Sequence, residues 1–239
     1  MTERYDNSAA RHYAAYRPPL HRPILERVLQ PAELFQTGLD VGCGTGRSTV
    51  ALSRYCDRVI GLDASQAMLD AAPAHPKIVY LHGELNEHLQ LPVQRCDIVT
   101  FAGSLFYTKT ASMRKALGKF CPPGGTVIVY DFGVHLNEVM ATLDVDCPTL
   151  ASNYDYGINL DDWDELVVEI SGSERLVLDA SEEQIAHLLL ADSHYQEALR
   201  KSLPAGDLFA SVRDRLDRRS EKTPLLADIY FRRYRVIHR

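Results

Sequence analysis

Three glycines at alternate positions are the first feature of the sequence that indicates a ligand-binding site. Gly42, Gly44 and Gly46 follow an apolar run in LDVGCGTGRSTVAL (residues 39–52), and a helical pattern begins after them. Glycines at a strand-to-helix turn let the backbone bend sharply and approach a ligand closely. The spacing G-x-G-x-G is one residue shorter than the dinucleotide fingerprint, and no Gly-Lys-Ser/Thr follows to meet nucleotide phosphates. The loop therefore favours a nucleoside with a short tail that lacks phosphate.

Acidic residues end the candidate strands around this loop. Asp63 ends the second strand, where a carboxylate can accept hydrogen bonds from both hydroxyls of a ribose. Glu84 lies one position past the third strand and could accept a hydrogen bond from an adenine amine. The carboxyl ends of neighbouring strands line the crevice where open α/β sheets bind ligands. We therefore expect these groups to form one nucleoside site.

The elements that position these residues alternate between strand and helix. The β-rich runs cover 37–42, 58–63, 77–83, 96–103 and 125–133, with helical stretches near 46–55, 65–74, 85–90 and 110–120 between them. This rhythm is typical of βαβ units. It predicts an α/β fold with a doubly wound and mostly parallel sheet.

The second half of the chain departs from this rhythm. A helix is predicted at 135–145, a hairpin from 166–170 and 175–179, and a further helix that begins at a capping box of Ser181 and Gln184. An alternating run at 227–237 predicts a last strand. We therefore predict a core at 1–133, a small helical and hairpin cap inserted at 134–226, and the final core strand at 227–239.

The order of five motifs carries a family resemblance. LDVGCGTG, VIGLDAS, HGEL, CDIVTFAGSLFYT and LGKFCPPGGTVIVYDFG, across residues 37–133, resemble the ordered motifs of class I S-adenosylmethionine-dependent methyltransferases. ADIYFRRYRVI resembles the reversed final strand of that family, and the resemblance implies a seven-stranded sheet. YDNSAARHYAAYRPPL resembles the N-terminal helix of its small-molecule members, in the trans-aconitate and ubiquinone-biosynthesis branch. The family more often carries Asp-Ala where this chain has Glu84-Leu85.

The resemblance implies S-adenosylmethionine as cofactor and S-adenosylhomocysteine as product. Asp63 would bind the ribose, Ala64 and Met68 would pack against the adenine, and Glu84 and Leu85 would hold its edge. Arg17 would bind the carboxylate of the methionine tail, and Asp40 would lie near the amino group of the tail. Ala102, Gly103 and Ser104 would lie under the tail. The full set of implied cofactor residues is Tyr13, Arg17, Asp40, Gly42, Gly44, Gly46, Asp63, Ala64, Met68, Glu84, Leu85, Ala102, Gly103 and Ser104.

The methyl acceptor would need its own pocket. The candidates are Tyr16, Phe106 and Tyr107, with His194 and Tyr195 in a segment that resembles a helix of the trans-aconitate-like methyltransferases. The catalytic residue stays unknown, with His194 and Tyr107 as candidates, because an acceptor hydroxyl would need a base whereas a carboxylate would not.

The charge of the chain and the spacing of its cysteines and histidines limit the kinds of partner that we expect. The net charge of −6 disfavours nucleic acid, although residues 200–239 carry eleven Lys or Arg against five Asp or Glu, a local charge of +6. The five cysteines are widely spaced without a C-x-x-C pair, and His82 and His88 lack the spacing of H-E-x-x-H, so we predict no metal site. No apolar run is long enough to span a membrane, and we expect a cytoplasmic protein of unknown oligomeric state.

These observations lead to one functional hypothesis with two alternatives. The favoured hypothesis is a methyltransferase that acts on a small molecule at oxygen, nitrogen or carboxylate. The alternatives are a methyltransferase for tRNA or another nucleic acid, and a non-catalytic regulator that binds S-adenosylmethionine.

Overall fold

The chain forms two compact units. The computed structural model of the 239-residue chain describes residues 11–12, 15–147, 153–218 and 224–237. The larger unit comprises residues 19–132, 154–174 and 229–239, and the smaller unit comprises 1–18, 133–153 and 175–228. The predicted boundaries of the cap stay a prediction. No helix in the described ranges has the length and apolar composition to cross a membrane.

Seven strands form one sheet in the order β3-β2-β1-β4-β5-β7-β6. Strands β1 to β5 pair in parallel, as the βαβ rhythm predicts. The strands are β1 (Phe35–Val41), β2 (Cys56–Asp63), β3 (Ile78–His82), β4 (Ile98–Ala102), β5 (Thr126–Val134), β6 (Leu166–Leu178) and β7 (Leu225–Val236). The predicted fold, a mostly parallel sheet with a reversed final strand, is confirmed.

Strand β7 runs against its neighbour β5. At one end of the pair the N–H of Gly124 donates to the carbonyl of Val236 at 2.8 Å. At the other end the N–H of His135 donates to the carbonyl of Leu226 at 2.9 Å. Partners on β7 therefore fall in sequence as those on β5 rise, which defines an antiparallel pair.

Helices connect and cover these strands. Thr110 and Ser181 begin two of them with the side-chain caps that Thr and Ser favour, and Ser181 forms the predicted capping box with Gln184. The described helices are α1 (His21–Val28), α2 (Arg47–Leu52), α3 (Gln66–Asp70), α4 (Leu105–Thr108), α5 (Ala111–Phe120), α6 (Leu136–Thr142), α7 (Glu182–Leu190), α8 (Ser193–Ser202) and α9 (Leu208–Asp217).

The predicted hairpin at 166–170 and 175–179 is wrong. These residues form the single strand β6, and Gly172 lies in it at the point where the sequence suggested a turn. A Cβ on Gly172 would lie 2.6 Å from a ring atom of Phe231 on β7. The glycine makes room for a neighbouring aromatic ring, so its role here is close packing rather than chain reversal.

The predicted helix near 85–90 is also wrong. The side chain of Asn86 accepts the N–H of His88 at 3.0 Å, and the Asn86 carbonyl accepts the N–H of Leu89 at 3.1 Å. Asn side chains favour such turns because they offer the backbone a local hydrogen-bond partner that competes with a helix.

Each unit has its own apolar core. In the larger unit the central strands contribute Leu39, Phe101 and Val127, all fully buried. In the smaller unit α6, α7 and α9 pack through side chains such as Leu189 and Val212. The buried central strands fix the sheet edge at which the candidate site lies.

Candidate functional site

The glycine loop joins the end of β1 to the start of α2. The N–H groups of Gly42 and Cys43 both donate to the carbonyl of Leu62 on β2, at 2.7 and 3.1 Å. The N–H of Gly46 donates to the carbonyl of Cys43 at 2.9 Å, which closes the turn. The loop is therefore held to the neighbouring strand, and it opens at the carboxyl edge of the sheet.

Two of the glycines show why the loop needs this residue type. Gly44 and Gly46 have φ angles of +53° and +77°, in the left-handed region that glycine adopts without strain. A Cβ on Gly46 would overlap the hydroxyl of Tyr80, whereas a Cβ on Gly44 would meet nothing within 4 Å. Gly46 thus serves packing, and Gly44 leaves an open face of backbone that a ligand can approach.

Asp63 connects the end of β2 to this loop. Its Oδ2 accepts the N–H of Gly44 at 2.7 Å, and its Oδ1 accepts the N–H of Ser65 at 2.8 Å. Ser65, rather than Asp63, caps α3, because its hydroxyl accepts the N–H of Met68. The carboxylate is half-buried beside the open face of Gly44. Its predicted role as a ribose ligand stays a prediction.

Asp40, at the end of β1, is fully buried and surrounded by hydroxyl groups. It accepts hydrogen bonds from Ser48 at 2.6 Å, Thr49 at 2.7 Å and Thr100 at 2.8 Å. Burial raises the pKa of Asp40, and the three hydrogen bonds oppose that rise. The carboxylate therefore ties β1 to α2 and β4, and its predicted place near the amino group of the methionine tail stays a prediction.

The residues predicted to contact adenine differ in exposure. Ala64, Met68 and Glu84 are exposed near the ends of β2 and β3. Leu85 is buried and its side chain packs into the core of the larger unit. Of this group, the first three therefore present side chains that a ligand could reach, while Leu85 could offer only its backbone.

Ala102, Gly103 and Ser104 lie where β4 ends, beside the glycine loop. The hydroxyl of Ser104 donates to the carbonyl of Val41 on β1. The N–H of Gly103 donates to the carbonyl of Tyr130 on β5 at 2.8 Å. This segment therefore joins the ends of three adjacent strands, as the prediction of a shared edge requires.

Sequence reasoning missed a carboxylate and a tyrosine at the same edge. Asp131 is half-buried near the end of β5, and its side chain accepts the hydroxyl of Tyr154 and the N–H of Phe132. The Tyr154 hydroxyl also lies 3.1 Å from the carbonyl of Gly103. Burial raises the pKa of Asp131. The rule that identified Asp63, an acidic residue ending a strand, does not find Asp131, because β5 continues to Val134. The pairing of Tyr130 with Ala102 is what places Asp131 level with the end of β4.

Aromatic rings gather around Tyr154. The rings of Phe106 and Tyr107 on α4 lie 4.8 and 5.7 Å from its ring, and that of Tyr156 lies 4.9 Å away. Tyr230 on β7 stacks on Tyr156 at 6.2 Å. We call Phe106, Tyr107, Tyr154, Tyr156 and Tyr230 the aromatic cluster. Two of its members, Phe106 and Tyr107, were predicted to line the acceptor pocket.

The other predicted pocket residues belong to the smaller unit. Tyr16 and Tyr195 pack against its apolar core. The Nε2 atom of His194 lies 3.1 Å from the Sγ atom of Cys147, so this nitrogen already has a partner. Arg17, half-buried, is in the same unit, and Tyr13 lies outside the described residues. Their predicted roles in binding stay predictions.

The sequence of the larger unit matches known methyltransferases. Residues 39–125 match the family described as methyltransferase domain. The chain is similar to the ubiquinone biosynthesis O-methyltransferase of Serratia proteamaculans, with 35% identity over 120 residues. That alignment covers 46% of this chain and 50% of the relative, so the chain spans about half of that protein's length.

Solved structures show the same fold. A type II methyltransferase candidate from Anaeromyxobacter dehalogenans superposes with a TM-score of 0.64 at 19% identity, covering 94% of this chain and 100% of that one. A phosphoethanolamine N-methyltransferase of Haemonchus contortus has a TM-score of 0.50 at 17% identity, covering 92% and 52%. At these identities the likeness shows the fold alone, which is the Rossmann-like fold of methyltransferases with a reversed last strand.

Proposed function

We propose that the protein is an S-adenosylmethionine-dependent methyltransferase that acts on a small molecule at oxygen, nitrogen or carboxylate. The observation that carries the proposal is the contact between Asp63 and the glycine loop at the open face of Gly44. The match of residues 39–125 to the methyltransferase domain family supports it. The similarity to the Serratia O-methyltransferase supports the further proposal of a place in the ubiquinone-biosynthesis-like branch.

The residues present suit this cofactor. Asp63 can accept from ribose hydroxyls, the bare backbone at Gly44 admits the nucleoside closely, and Met68 offers an apolar surface for adenine. Bound S-adenosylmethionine would supply an electrophilic methyl group on a sulfonium that is already a good leaving group. The protein's own contribution is then to orient the acceptor and to exclude water, which can be worth effective molarities on the order of 10⁵ M or more.

Calorimetric titration with S-adenosylhomocysteine tests the proposal, with NAD as a parallel control. We expect S-adenosylhomocysteine to bind and NAD to show no heat of binding. Asp63→Asn should weaken the binding by about tenfold to a hundredfold, because it removes the charge that accepts from hydroxyl donors. Asp57→Asn is the matched control, since Asp57 is an exposed carboxylate at the opposite end of β2.

Three outcomes would count against the proposal. Binding of NAD in place of S-adenosylhomocysteine would indicate a dehydrogenase-like site. Equal affinity of the wild type and Asp63→Asn would remove the observation on which the proposal rests. Binding without transfer to any amine, phenol or carboxylate in a broad panel would favour the non-catalytic alternative.

Two arginines of the basic C-terminal segment, Arg233 and Arg235, give little support to the nucleic-acid alternative. Arg233 is paired with Glu33 and Glu169, and Arg235 is also paired with Glu169. These charges are neutralised within the larger unit, so they are poorly available to bind phosphates. RNA binding that weakens steeply with salt would restore that alternative.

A further inference from the structure

Within the described part of the larger unit, the two hydrogen-bond partners of Asp131 are both neutral. Its Oδ1 accepts the N–H of Phe132 at 2.7 Å, and its Oδ2 accepts the hydroxyl of Tyr154. In the described residues of the larger unit no lysine or arginine pairs with it. A partly buried charge without a counterion is costly, and a cationic ligand would relieve that cost.

The aromatic cluster lies beside Asp131 and supplies ring faces that attract a cation. Tyr154 both contacts Asp131 and packs against three other rings of the cluster. Tyr107 is 73% exposed and Phe106 is 36% exposed, so the cluster lies at the surface where a ligand can reach it. Aromatic faces attract ammonium ions through the negative potential above the ring.

The chemistry of these groups distinguishes between acceptors. An ammonium group gains a counterion from Asp131 and ring faces from the cluster. A carboxylate or phenolate would meet the negative charge of Asp131 and would be repelled. An uncharged hydroxyl would gain one hydrogen bond at most. The site therefore favours an amine over the other acceptors that the proposed function leaves open.

We propose that Asp131, Tyr154 and the aromatic cluster bind the methyl acceptor and select a primary, secondary or tertiary amine in its protonated form. This inference rests on the proposed function and specifies its substrate class. The site adjoins Gly103, whose carbonyl lies 3.1 Å from the Tyr154 hydroxyl and which is predicted to lie under the methionine tail. An amine held by Asp131 would thus lie beside the predicted cofactor site.

Asp131 would also take up a proton. A protonated amine has no free lone pair, so an N–H bond must break before the nitrogen can react. The electron pair stays on nitrogen, and the proton moves to a carboxylate oxygen of Asp131, which becomes neutral. The raised pKa of Asp131 suits this exchange, because it brings the basicity of the carboxylate closer to that of the amine.

The test uses two probes that differ in charge but hardly in shape. The protein, loaded with S-adenosylhomocysteine, is titrated with 2-phenylethylammonium and separately with 2-phenylethanol. We expect the wild type to bind the ammonium about tenfold more tightly or better. Asp131→Asn should reduce that preference to less than about twofold, while Asp57→Asn, the matched exposed carboxylate, should retain it.

Tyr154→Phe provides a second variant in case Asp131→Asn fails to fold. It keeps the ring and removes the hydroxyl that orients the carboxylate, so the preference should fall by about threefold. Equal binding of both probes to the wild type would overturn the proposal, as would a preference that survives in both Asp131→Asn and Tyr154→Phe. A loss of S-adenosylhomocysteine affinity in Asp131→Asn, beyond about tenfold, would assign Asp131 to the ammonium of the methionine tail instead.

The same titrations without S-adenosylhomocysteine separate this inference from the proposed function. If S-adenosylhomocysteine fails to bind but the ammonium preference persists and depends on Asp131, the cation site stands and the proposed function falls. If S-adenosylhomocysteine binds and the preference is absent, the proposed function stands and the amine assignment falls.

Discussion

Two carboxylates at the carboxyl edge of the sheet, Asp40 on the β1 side and Asp131 on the β5 side, differ in burial and in the hydrogen bonds they accept. On the β1 side, Asp40 is fully buried and receives three hydroxyl hydrogen bonds from α2 and β4. On the β5 side, Asp131 is half-buried and receives one hydroxyl and one backbone N–H. The first carboxylate is enclosed by the fold and satisfies three buried hydroxyl groups. The second carboxylate, Asp131, can accept further hydrogen bonds from a ligand.

The largest effect that would sharpen this contrast is expected at Asp40. Asp40→Ala would leave the hydroxyls of Ser48, Thr49 and Thr100 buried without their acceptor. We expect the free energy of unfolding to fall by about 3 kcal/mol, since each unsatisfied buried group costs about 1 to 3 kcal/mol and the removed charge returns part of that. Urea unfolding measures the change, and a loss below about 1 kcal/mol would contradict the structural role.

Two substitutions in the glycine loop should have smaller effects on stability. They distinguish a glycine needed for packing from one needed for ligand access. Gly46→Ala should lower the free energy of unfolding by about 2 kcal/mol, because a left-handed alanine is strained and its Cβ overlaps Tyr80. Gly44→Ala should lower it by only about 1 kcal/mol, the cost of the left-handed backbone alone. Gly44→Ala should nevertheless weaken S-adenosylhomocysteine binding by about tenfold, because its Cβ fills the open face. Full affinity in Gly44→Ala would show that the ligand approaches elsewhere.

The smallest effect is expected for the stability of Asp131→Asn. Because burial raises the folded pKa of Asp131 above its ordinary value of 3.8, the ionised carboxylate destabilises the fold at neutral pH. Asparagine removes that charge and can still accept from Tyr154. We expect the free energy of unfolding to rise by up to about 1 kcal/mol at pH 7, and the gain to disappear below pH 3.8, where the carboxyl is neutral in both states. A marked loss of stability at pH 7 would make Asp131 a structural carboxylate like Asp40.

The sequence predicted that the glycine loop and Asp63 lie together at the ends of β1 and β2, because the signals for this are local. Their roles in binding stay predictions. Gly42, Gly44 and Gly46 lie at one strand-to-helix turn, and Asp63 ends the next strand along the chain. The contact of Asp63 with Gly44 follows from parallel pairing of adjacent strands. At the ends of β1 and β2, the sequence pattern and the contact found in the structure therefore agree.

The β5 side could not be predicted as fully, because its partners are distant in sequence. Tyr154 lies in a segment without helical or strand periodicity, and only the folded chain brings its hydroxyl to Asp131. The misread turn at Gly172 has the same origin. The neighbour of Gly172, Phe231, lies on another strand, and no residue near Gly172 in sequence indicates that this ring packs there.

Strand β7 has a consequence for the order in which the molecule can be assembled. It is the last strand in sequence, yet it lies between β5 and β6 in the sheet. Until the ribosome has released β7, the hydrogen-bonding edge of β5 is open and β6 has no neighbour in the described sheet. Such edges readily pair with other chains. Interrupted synthesis would thus leave exposed the edge of β5 that β7 covers in the folded sheet, and such a fragment should be more prone to aggregation.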